Sequence, residues 1–478
     1  MSDRPHIFYE LTNSLCHHCL RKVEAKVVIE DGSVYLHKWC PEHRLTKVLI
    51  STDAEYYKLC RQTLKPGQMP LKFNTPIQYG CPFDCGLCPD HEQHSCLTLI
   101  EVTDKCQLTC PICYSESSPQ RGHRSLEQIE FMLDCVVQNE GEPDVVQISG
   151  GEPCVHPQID QILVAAKKRP IKHLMLNTNG IRISQDDEFA KRLADFMPGF
   201  EVYLQFDSLR PSVLRDLRGE DLTSVRMRAI DRLNKLNLST TLVVTLKKRQ
   251  NDDEIGAIID YALKQRCVRG VTFQPIQIAG RTGNFDPAKD RLTLAEVRQN
   301  ILRQSSIFKP ADVVPVPCHP DCLAMAYALK LPDGSVAPLT SLLDPQVLLS
   351  GTGNTIVYER DPRVREHIFK LFSTSASPVS SASSLKQLLC CLPMVQAPES
   401  IGYQNLFRII IMQFLDAYNF DVRSVKKTCV HIAHPDGRII PFDTYNMFYR
   451  DEKQRLLTAL RGSGQLTQLN IRGLEATR

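Results

Sequence analysis

Between Leu97 and about residue 276, short apolar runs alternate with segments whose apolar residues recur every three or four positions. The runs LTLIEVT, DVVQIS, HLMLNTNG, EVYLQFDS, STTLVVTL and GVTFQPI are rich in Val, Ile, Leu and Thr and each predicts a strand. The segments between them predict helices. Ser125 to Gln128 is a capping box, and it opens a helix whose apolar positions Leu126, Ile129, Met132, Leu133 and Val136 share one face. QIDQILVAAKK predicts the next helix, and Asn251 to Glu254 are expected to cap another around Ile255, Ile258, Ile259 and Leu263. Strands separated by helices pair in parallel through right-handed crossovers. Six such units over 97–309 therefore predict an α/β fold, a partial (β/α)6 TIM-like barrel, with its reactive groups at the C-terminal ends of the strands.

The pattern differs on either side. Residues 1–50 predict a small metal module: Val27 to His37 suits two short strands around the Asp31-Gly32 turn, flanked by Cys16 and Cys19 before and by Cys40 and His43 after. CxxC followed some twenty residues later by CxxH is a ligand spacing for one tetrahedral ion, of the zinc-ribbon or rubredoxin kind. Residues 51–96 predict a helix, STDAEYYKLCRQTL, and then a cysteine-rich segment. After about residue 310 the regularity fails, and 310–478 is expected to form an α+β C-terminal domain. There NLFRIIIMQFLDAY predicts a buried helix, Ser373 to Ser384 a serine-rich connection and Asp436-Gly437 a hairpin.

A chain of 478 residues exceeds what one core usually fills. With 42% hydrophobic and 23% charged residues it is of ordinary globular composition, and a net charge of +3 gives no electrostatic reason to expect a nucleic-acid partner. Lys247, Lys248 and Arg249 are expected to be a solvated face. No stretch has the length of an apolar membrane span and the first residues lack an apolar signal core, so a cytoplasmic protein, not integral to a membrane, is expected. Of the 19 cysteines, eleven lie between Cys16 and Cys113, most at ligand spacing, and residues 155–266 have none. In a reducing compartment that distribution favours metal ligation over disulfides. Cys60, Cys135, Cys154, Cys267 and the pair Cys390-Cys391 stand outside any ligand spacing and are expected to pack as small apolar residues.

One spacing occurs twice: Cys81, Cys85, Cys88 and Cys106, Cys110, Cys113. Iron–sulfur cubes are normally held by four cysteines, and three leave one iron without a protein donor. S-adenosylmethionine (SAM) can chelate such an iron through its amino and carboxylate groups. The loop carrying Cys106 follows the first barrel strand. If the Cys81 set holds a structural or electron-relaying cube it needs a fourth donor; Cys96 is the first candidate, His91 or His94 the next. Gly150, Gly151, Glu152 and Pro153 end the second strand, where glycines permit close approach of a ligand to backbone. Asn177, Thr178 and Asn179 end the third strand and Gln205 and Asp207 the fourth; Gln274 and Arg281 are weaker candidates at the sixth.

Taken in order, these motifs resemble the radical SAM superfamily. The resemblance implies that Cys106, Cys110 and Cys113 hold the SAM-binding [4Fe–4S] cluster, with Tyr114 in the usual aromatic position. It also implies that Gly150, Gly151, Glu152 and Pro153 receive the SAM amino group, while Asn177, Asn179, Gln205 and Asp207 suit its ribose and carboxylate. Within the superfamily the chain resembles a narrower family, tetraether lipid synthase and the pterin C-methylase of methanogens. The shared plan is the CxxC…CPEH module, CPxDCGLCPxH, ISGGEP, LQFDS, CHPDC and PDGRIIPF, and it spans most of the chain. That likeness implies one or two auxiliary [4Fe–4S] clusters and one mononuclear iron or zinc. It also implies a third cluster held by Cys318, Cys322 and Cys429, with Asp443 standing where a cysteine is expected. The implied activity is reductive cleavage of SAM to a 5′-deoxyadenosyl radical, which activates an inert carbon for methylation or alkylation. The implied partners are a low-potential ferredoxin or flavodoxin-type donor and a small-molecule or lipid substrate. A radical SAM peptide maturase and a non-enzymatic zinc-binding adaptor are the alternatives, and the sequence does not choose among pterin, lipid and peptide substrates.

Overall fold

The computed structural model describes residues 4–331, 334–342, 405–450 and 453–462. At the N-terminus β1 (Ile7–Leu15), β2 (Lys22–Glu30), β3 (Ser33–Cys40) and β4 (Arg44–Ser51) form an antiparallel sheet in sequence order. Asp31 and Gly32 alone join β2 to β3, both with positive φ (+49° and +73°), which is the backbone a two-residue hairpin requires. Ala25, Val27, Val34 and Leu36 point to one face and pack with Ala54 and Tyr57, from the helix Ala54–Gln62. This module docks on the C-terminal region. Thr12 Oγ1 donates to Asp421 Oδ1 (2.6 Å), and the buried Lys38 ammonium donates to the carbonyls of Leu15, Ala417 and Tyr418 at 2.8–2.9 Å.

The barrel strands are β5 (Leu97–Thr103), followed in its loop by the two-residue β6 (Ile112–Cys113), then β7 (Val145–Gly150), β8 (His173–Thr178), β9 (Phe200–Gln205), β10 (Thr240–Leu246) and β11 (Val268–Pro275). They pair in parallel in the order β5-β7-β8-β9-β10-β11. Helices cover one face and the site region the other, so nearly every strand residue is buried; this is why the sequence shows unbroken apolar runs rather than alternation. The helix Leu126–Glu140 opens on the capping box of Ser125 and Gln128, as its sequence predicts. The helix Ile255–Lys264 has no side-chain cap. Asn251 instead donates to the carbonyls of Asp207 (3.0 Å) and Thr245 (2.8 Å), tying the ends of β9 and β10 together.

After β12 (Arg281–Thr282) come β13 (Val314–Pro315), β14 (Leu323–Lys330), β15 (Val336–Pro338), β16 (Leu406–Met412), β17 (Val430–Ala433) and β18 (Ile439–Pro441). Here one expectation fails. NLFRIIIMQFLDAY holds strand β16, not a helix: a short apolar run rich in Ile, buried on both faces of a sheet, has no periodicity that separates the two. The strands of the C-terminal region join the barrel sheet. β16 lies parallel beside β11 and β17 parallel beside β5, so that region extends the barrel sheet at both edges. The joint at β16 is electrostatic as well as apolar. The Arg408 guanidinium donates to both oxygens of Glu201 (2.6 and 2.7 Å), which also faces His173 Nε2 at 3.1 Å, all fully or nearly buried. Burial alone would raise the Glu201 pKa, but Arg408 and His173 hold it well below the usual carboxylate range. Ser373 to Ser384 and Cys390-Cys391 lie outside the described residues.

Candidate active site and metal centres

The loop from Cys106 to Cys113 leaves the C-terminal end of β5 and folds over the barrel mouth, where all three thiols line one cavity. Its shape is set by β12, which pairs β6 across Arg281↔Cys113 and Thr282↔Ile112. Arg281 donates through Nε to the Cys110 carbonyl (2.9 Å) and through Nη2 to that of Ser117 (2.7 Å), so this residue clamps the loop from behind. Gly280 (φ +58°) passes so close beneath that a Cβ there would collide with the carbonyls of Cys113 and Tyr114.

Opposite, Gly150-Gly151-Glu152 closes β7 against the same loop. Gly151 N donates to Thr103 O (2.7 Å) and Glu152 N to Lys105 O (2.9 Å), immediately before Cys106. A Cβ on either glycine would strike those carbonyls, which is the physical reason for GG at this strand end. The Glu152 carboxylate is turned inward. It accepts from Cys154 N (3.1 Å), Thr178 Oγ1 (2.7 Å) and Asn179 N (2.7 Å), joining the ends of β7 and β8. Its pKa is raised by burial, which those hydrogen bonds only partly offset. What faces the cavity is therefore the glycine backbone together with Asn177 and Asn179; the buried Ser149 behind them accepts from Asn177 Nδ2 at 3.2 Å and faces Tyr114 OH at 3.4 Å.

Asp207 departs from its expected place. Its carboxylate lies behind the cavity wall, fully buried, where it accepts from Arg218 Nε (2.8 Å) and Nη2 (2.6 Å), Arg226 Nη2 (2.9 Å) and Thr245 N (3.1 Å). Burial would raise the pKa; Arg218 and Arg226 hold it down. The cationic group that reaches the cavity is Arg218, which also donates to Ile112 O (3.1 Å) and faces the side-chain amide of Gln205. Sequence reasoning missed this arginine. It ends the helix Pro211–Arg218, off every strand end, and no local spacing marks it.

The far wall of the cavity comes from the C-terminal region: Met412, Phe414, Val430 and Phe442, with the Phe414 and Phe442 rings stacked at 4.0 Å. Six side-chain amides, Gln147, Asn177, Asn179, Gln205, Gln274 and Gln277, line the same space. Deep beside it Arg450 pairs with Glu101 (3.0 Å) and lies over the Tyr114 and Tyr445 rings.

The other cysteines sort into sets that spacing only half predicts. Cys16, Cys19, Cys40 and His43 come together: Cys19 and Cys40 Sγ are 3.9 Å apart, and Cys16 and Cys40 each lie 3.5 Å from His43 Nδ1. Cys81 and Cys85 are neighbours, with Cys88 close by, under a lid formed by Tyr449, whose OH accepts from Cys85 N (2.8 Å). Cys96 does not join them. Its Sγ lies within 4.8 Å of those of Cys318 and Cys429, two chain segments far away in sequence. Cys322 is buried nearby but outside that group, and Asp443 is held by Leu415 N and Thr428 Oγ1, its pKa pushed up to about 6 by burial. Of the other candidates, His91 Nε2 faces the Thr428 carbonyl (2.8 Å) and His431 (3.1 Å), and Pro153 starts a short helical turn. Cys60, Cys135, Cys154 and Cys267 are buried free thiols.

A three-cysteine loop and a glycine turn facing each other across the mouth of a parallel barrel are the working parts of a radical SAM enzyme, and the chain is one: the model of the Radical SAM superfamily matches residues 100–262. That of the HMPTM N-terminal zinc ribbon domain matches residues 8–52. The chain is 30% identical to the 7,8-dihydro-6-hydroxymethylpterin dimethyltransferase of Methanocaldococcus jannaschii, across 92% of this chain and 94% of that protein, and it belongs to that family. It is also 26% identical to the GTP 3′,8-cyclase of Sulfurovum sp., over 34% of this chain and 50% of that one. Among solved structures, Streptococcus suis SuiB bound to S-adenosylmethionine aligns with 43% of this chain and 46% of its own, at 19% identity and a TM-score of 0.36. Membership implies SAM, a [4Fe–4S] cluster and a reductant. Among the described residues no helix is long and apolar enough to cross a membrane.

Proposed function

We propose that the protein methylates an unactivated carbon of a small flat heteroaromatic substrate of the pterin class. The observation that carries this is the cavity itself, in which the cysteine loop and glycine turn on one side face stacked Phe414 and Phe442 and a ring of side-chain amides on the other. Stacked aromatic faces suit a planar heterocycle, and amides supply both the donors and acceptors that a pterin edge presents. An acyl chain would gain nothing from six amides.

A cube on Cys106, Cys110 and Cys113 would, with SAM bound, supply one-electron cleavage of SAM to methionine and a radical able to take hydrogen from carbon, and a second SAM would supply the methyl group and leave as S-adenosylhomocysteine. The chain's residues then have these roles. Cys106, Cys110 and Cys113 are the cluster ligands, held in register by Arg281 from behind and Tyr114 from the barrel side. The Gly150-Gly151 backbone offers carbonyls to an ammonium, and Glu152 keeps that turn rigid by fixing β7 to β8. Asn177, Asn179 and Gln205 suit hydroxyl groups of a ribose, and Arg218, charged and anchored on Asp207, suits a carboxylate. The apolar wall excludes water from the reacting carbon. No general base is needed for hydrogen abstraction, and among the described residues the carboxylate lining the cavity, Glu152, is held by Cys154 N, Thr178 Oγ1 and Asn179 N.

The Cys81, Cys85 and Cys88 set suits an auxiliary cluster, and the Cys16, Cys19, Cys40 and His43 set a single zinc or iron ion. A ferredoxin or flavodoxin-type protein is the matching electron donor. Four parts follow along the chain: residues 1–50, 51–96, 97–309 and 310–478. The test is anaerobic incubation of reconstituted protein with SAM, reductant and a 6-hydroxymethyl dihydropterin, followed by mass spectrometry. Deoxyadenosine formed together with a pterin heavier by one or two methyl groups is the expected result. Deoxyadenosine without any change in the pterin would refute the substrate.

A further inference from the structure

We infer that Gln147 reads the lactam of the substrate heterocycle, its carboxamide forming paired hydrogen bonds with a ring N–H and the C=O beside it. The inference deepens the pterin reading proposed above and rests on it. It assigns the residue that selects the ring.

The first support is an unused amide. Of the six that line the cavity, five are engaged within the protein. Gln277 Nε2 donates to Leu415 O (2.5 Å), and its oxygen faces Asn446 Nδ2 (3.4 Å). Gln274 Nε2 donates to Tyr203 OH (3.1 Å) and Asn177 Nδ2 to Ser149 Oγ (3.2 Å), while Asn179 Oδ1 accepts from Ile181 N (3.0 Å). Gln205 faces Arg218. Gln147 differs: it is 3% exposed, yet among the described residues neither end of its amide has a hydrogen-bond partner. Buried polar groups are paired in nearly every folded protein, so the partner here is whatever fills the cavity.

The second support is depth. Gln147 stands on β7 three residues before Gly150, about 10 Å down the strand from the turn that faces the cysteine loop. Its neighbours across the sheet are Leu99 of β5 and Met175 of β8, both apolar and buried. The amide is thus a lone polar contact between apolar strand neighbours, deep in the barrel. A flat ring held there by one edge turns its opposite edge toward the cysteine loop.

The third support is chemistry. A carboxamide carries an acceptor and a donor side by side in one plane. A ring lactam, whose amide is held cis, carries the complementary donor and acceptor side by side, so both bonds form at once. A peptide bond is trans and turns its N–H and C=O to opposite sides, so one glutamine cannot take both. A hydrocarbon chain offers neither. Gln147 therefore favours the ring over a peptide backbone or an acyl chain.

The experiment measures equilibrium binding to the full chain, reconstituted anaerobically and supplied with SAM but no reductant, so that nothing turns over. The probes are 6-hydroxymethyl dihydropterin and its 4-amino counterpart, which lacks the lactam carbonyl. Gln147→Leu should weaken pterin binding about 10- to 100-fold. It should not lower the thermal midpoint, because this amide holds nothing within the protein. Gln147→Glu can only accept, and the 4-amino ring, once protonated, presents two adjacent donors to it. In that variant the ratio of the two affinities should shift toward the 4-amino ring by about 10- to 100-fold relative to the parent. If Gln147→Leu unfolds, this ratio decides, since a damaged pocket would weaken both rings alike. Pterin affinity unchanged in both variants, with the ratio unshifted, would overturn the inference and leave the pterin reading standing. A parent that binds neither ring would overturn that reading and the role of Gln147 with it.

Discussion

The same three-cysteine spacing stands twice in this chain, and its two copies meet opposite surroundings. Cys106, Cys110 and Cys113 face a cavity shared with a glycine turn and a cationic arginine. Cys81, Cys85 and Cys88 are packed over instead: Phe83 packs edge-on against Phe448 at 5.8 Å, Tyr449 hydrogen-bonds across the loop, and Arg461 donates to Phe83 O. The first loop can accept a small molecule as a further ligand and the second is covered by the tail of the chain. Spacing therefore identifies a ligand set, while function comes from what is packed around it.

The sharpest way to break this comparison is to remove one cysteine from each loop. Cys110→Ala should reduce SAM cleavage to background, measured as deoxyadenosine released under dithionite. Cys85→Ala should leave most of that cleavage intact, because a chemical reductant bypasses any relay, and should instead impair turnover with a protein donor. Equal loss in both variants would mean that the two loops are not functionally distinct.

The next largest effect concerns the charge that marks the open site. Arg218→Met leaves the buried Asp207 carboxylate with Arg226 and Thr245 N alone. Breaking a buried pair costs about 3–5 kcal/mol, and the remaining arginine puts this variant near the lower end, about 3 kcal/mol. Denaturant unfolding measures it. The double variant Arg218→Met, Asp207→Asn should recover part of the stability but not SAM binding, which separates the structural role of the pair from the cationic one.

Much of this was legible in the sequence because it is local. The zinc-ribbon ligands, the GGEP turn and the six barrel strands are each encoded within a few residues, by a spacing, a pair of glycines or an apolar run. What stayed hidden depends on contacts across long separations. Cys96 is the first candidate to complete the triplet beside it in sequence, yet it lies with residues 222 and 333 positions away, Cys318 and Cys429. Arg218 is visible only once Asp207 has chosen it over the cavity. β16 was misread because a strand buried between two neighbours and a buried helix share one apolar signature, and only its pairing with β11 and β14 decides.

A milder perturbation tests the open loop's support. In Gly280→Ala the added Cβ meets two backbone carbonyls, Cys113 and Tyr114, at a positive φ. Neither carbonyl can turn aside as a side chain could, so the loop or β12 must move. Overpacking of this kind costs about 1–3 kcal/mol. The loop that moves is the one carrying three ligands, so iron and sulfide content should fall along with thermal stability. A variant as stable as the parent but unable to load its cluster would show that the loop, not β12, had yielded.

The counterpart at the covered loop is Tyr449→Phe. The hydroxyl accepts from Cys85 N (2.8 Å) and donates to Pro82 O (3.2 Å), and both partners are buried. Removing it strands one backbone donor, a cost of about 1–2 kcal/mol. The ring stays, so the lid still excludes water and the cysteines keep their positions. Stability should therefore drop modestly in denaturant while dithionite-driven SAM cleavage stays at the parent level. If cleavage fell in step with stability, the covered triplet would have to be coupled to the open one through the barrel, and the contrast between a ligand-accepting loop and a sealed one would fail at its weakest point.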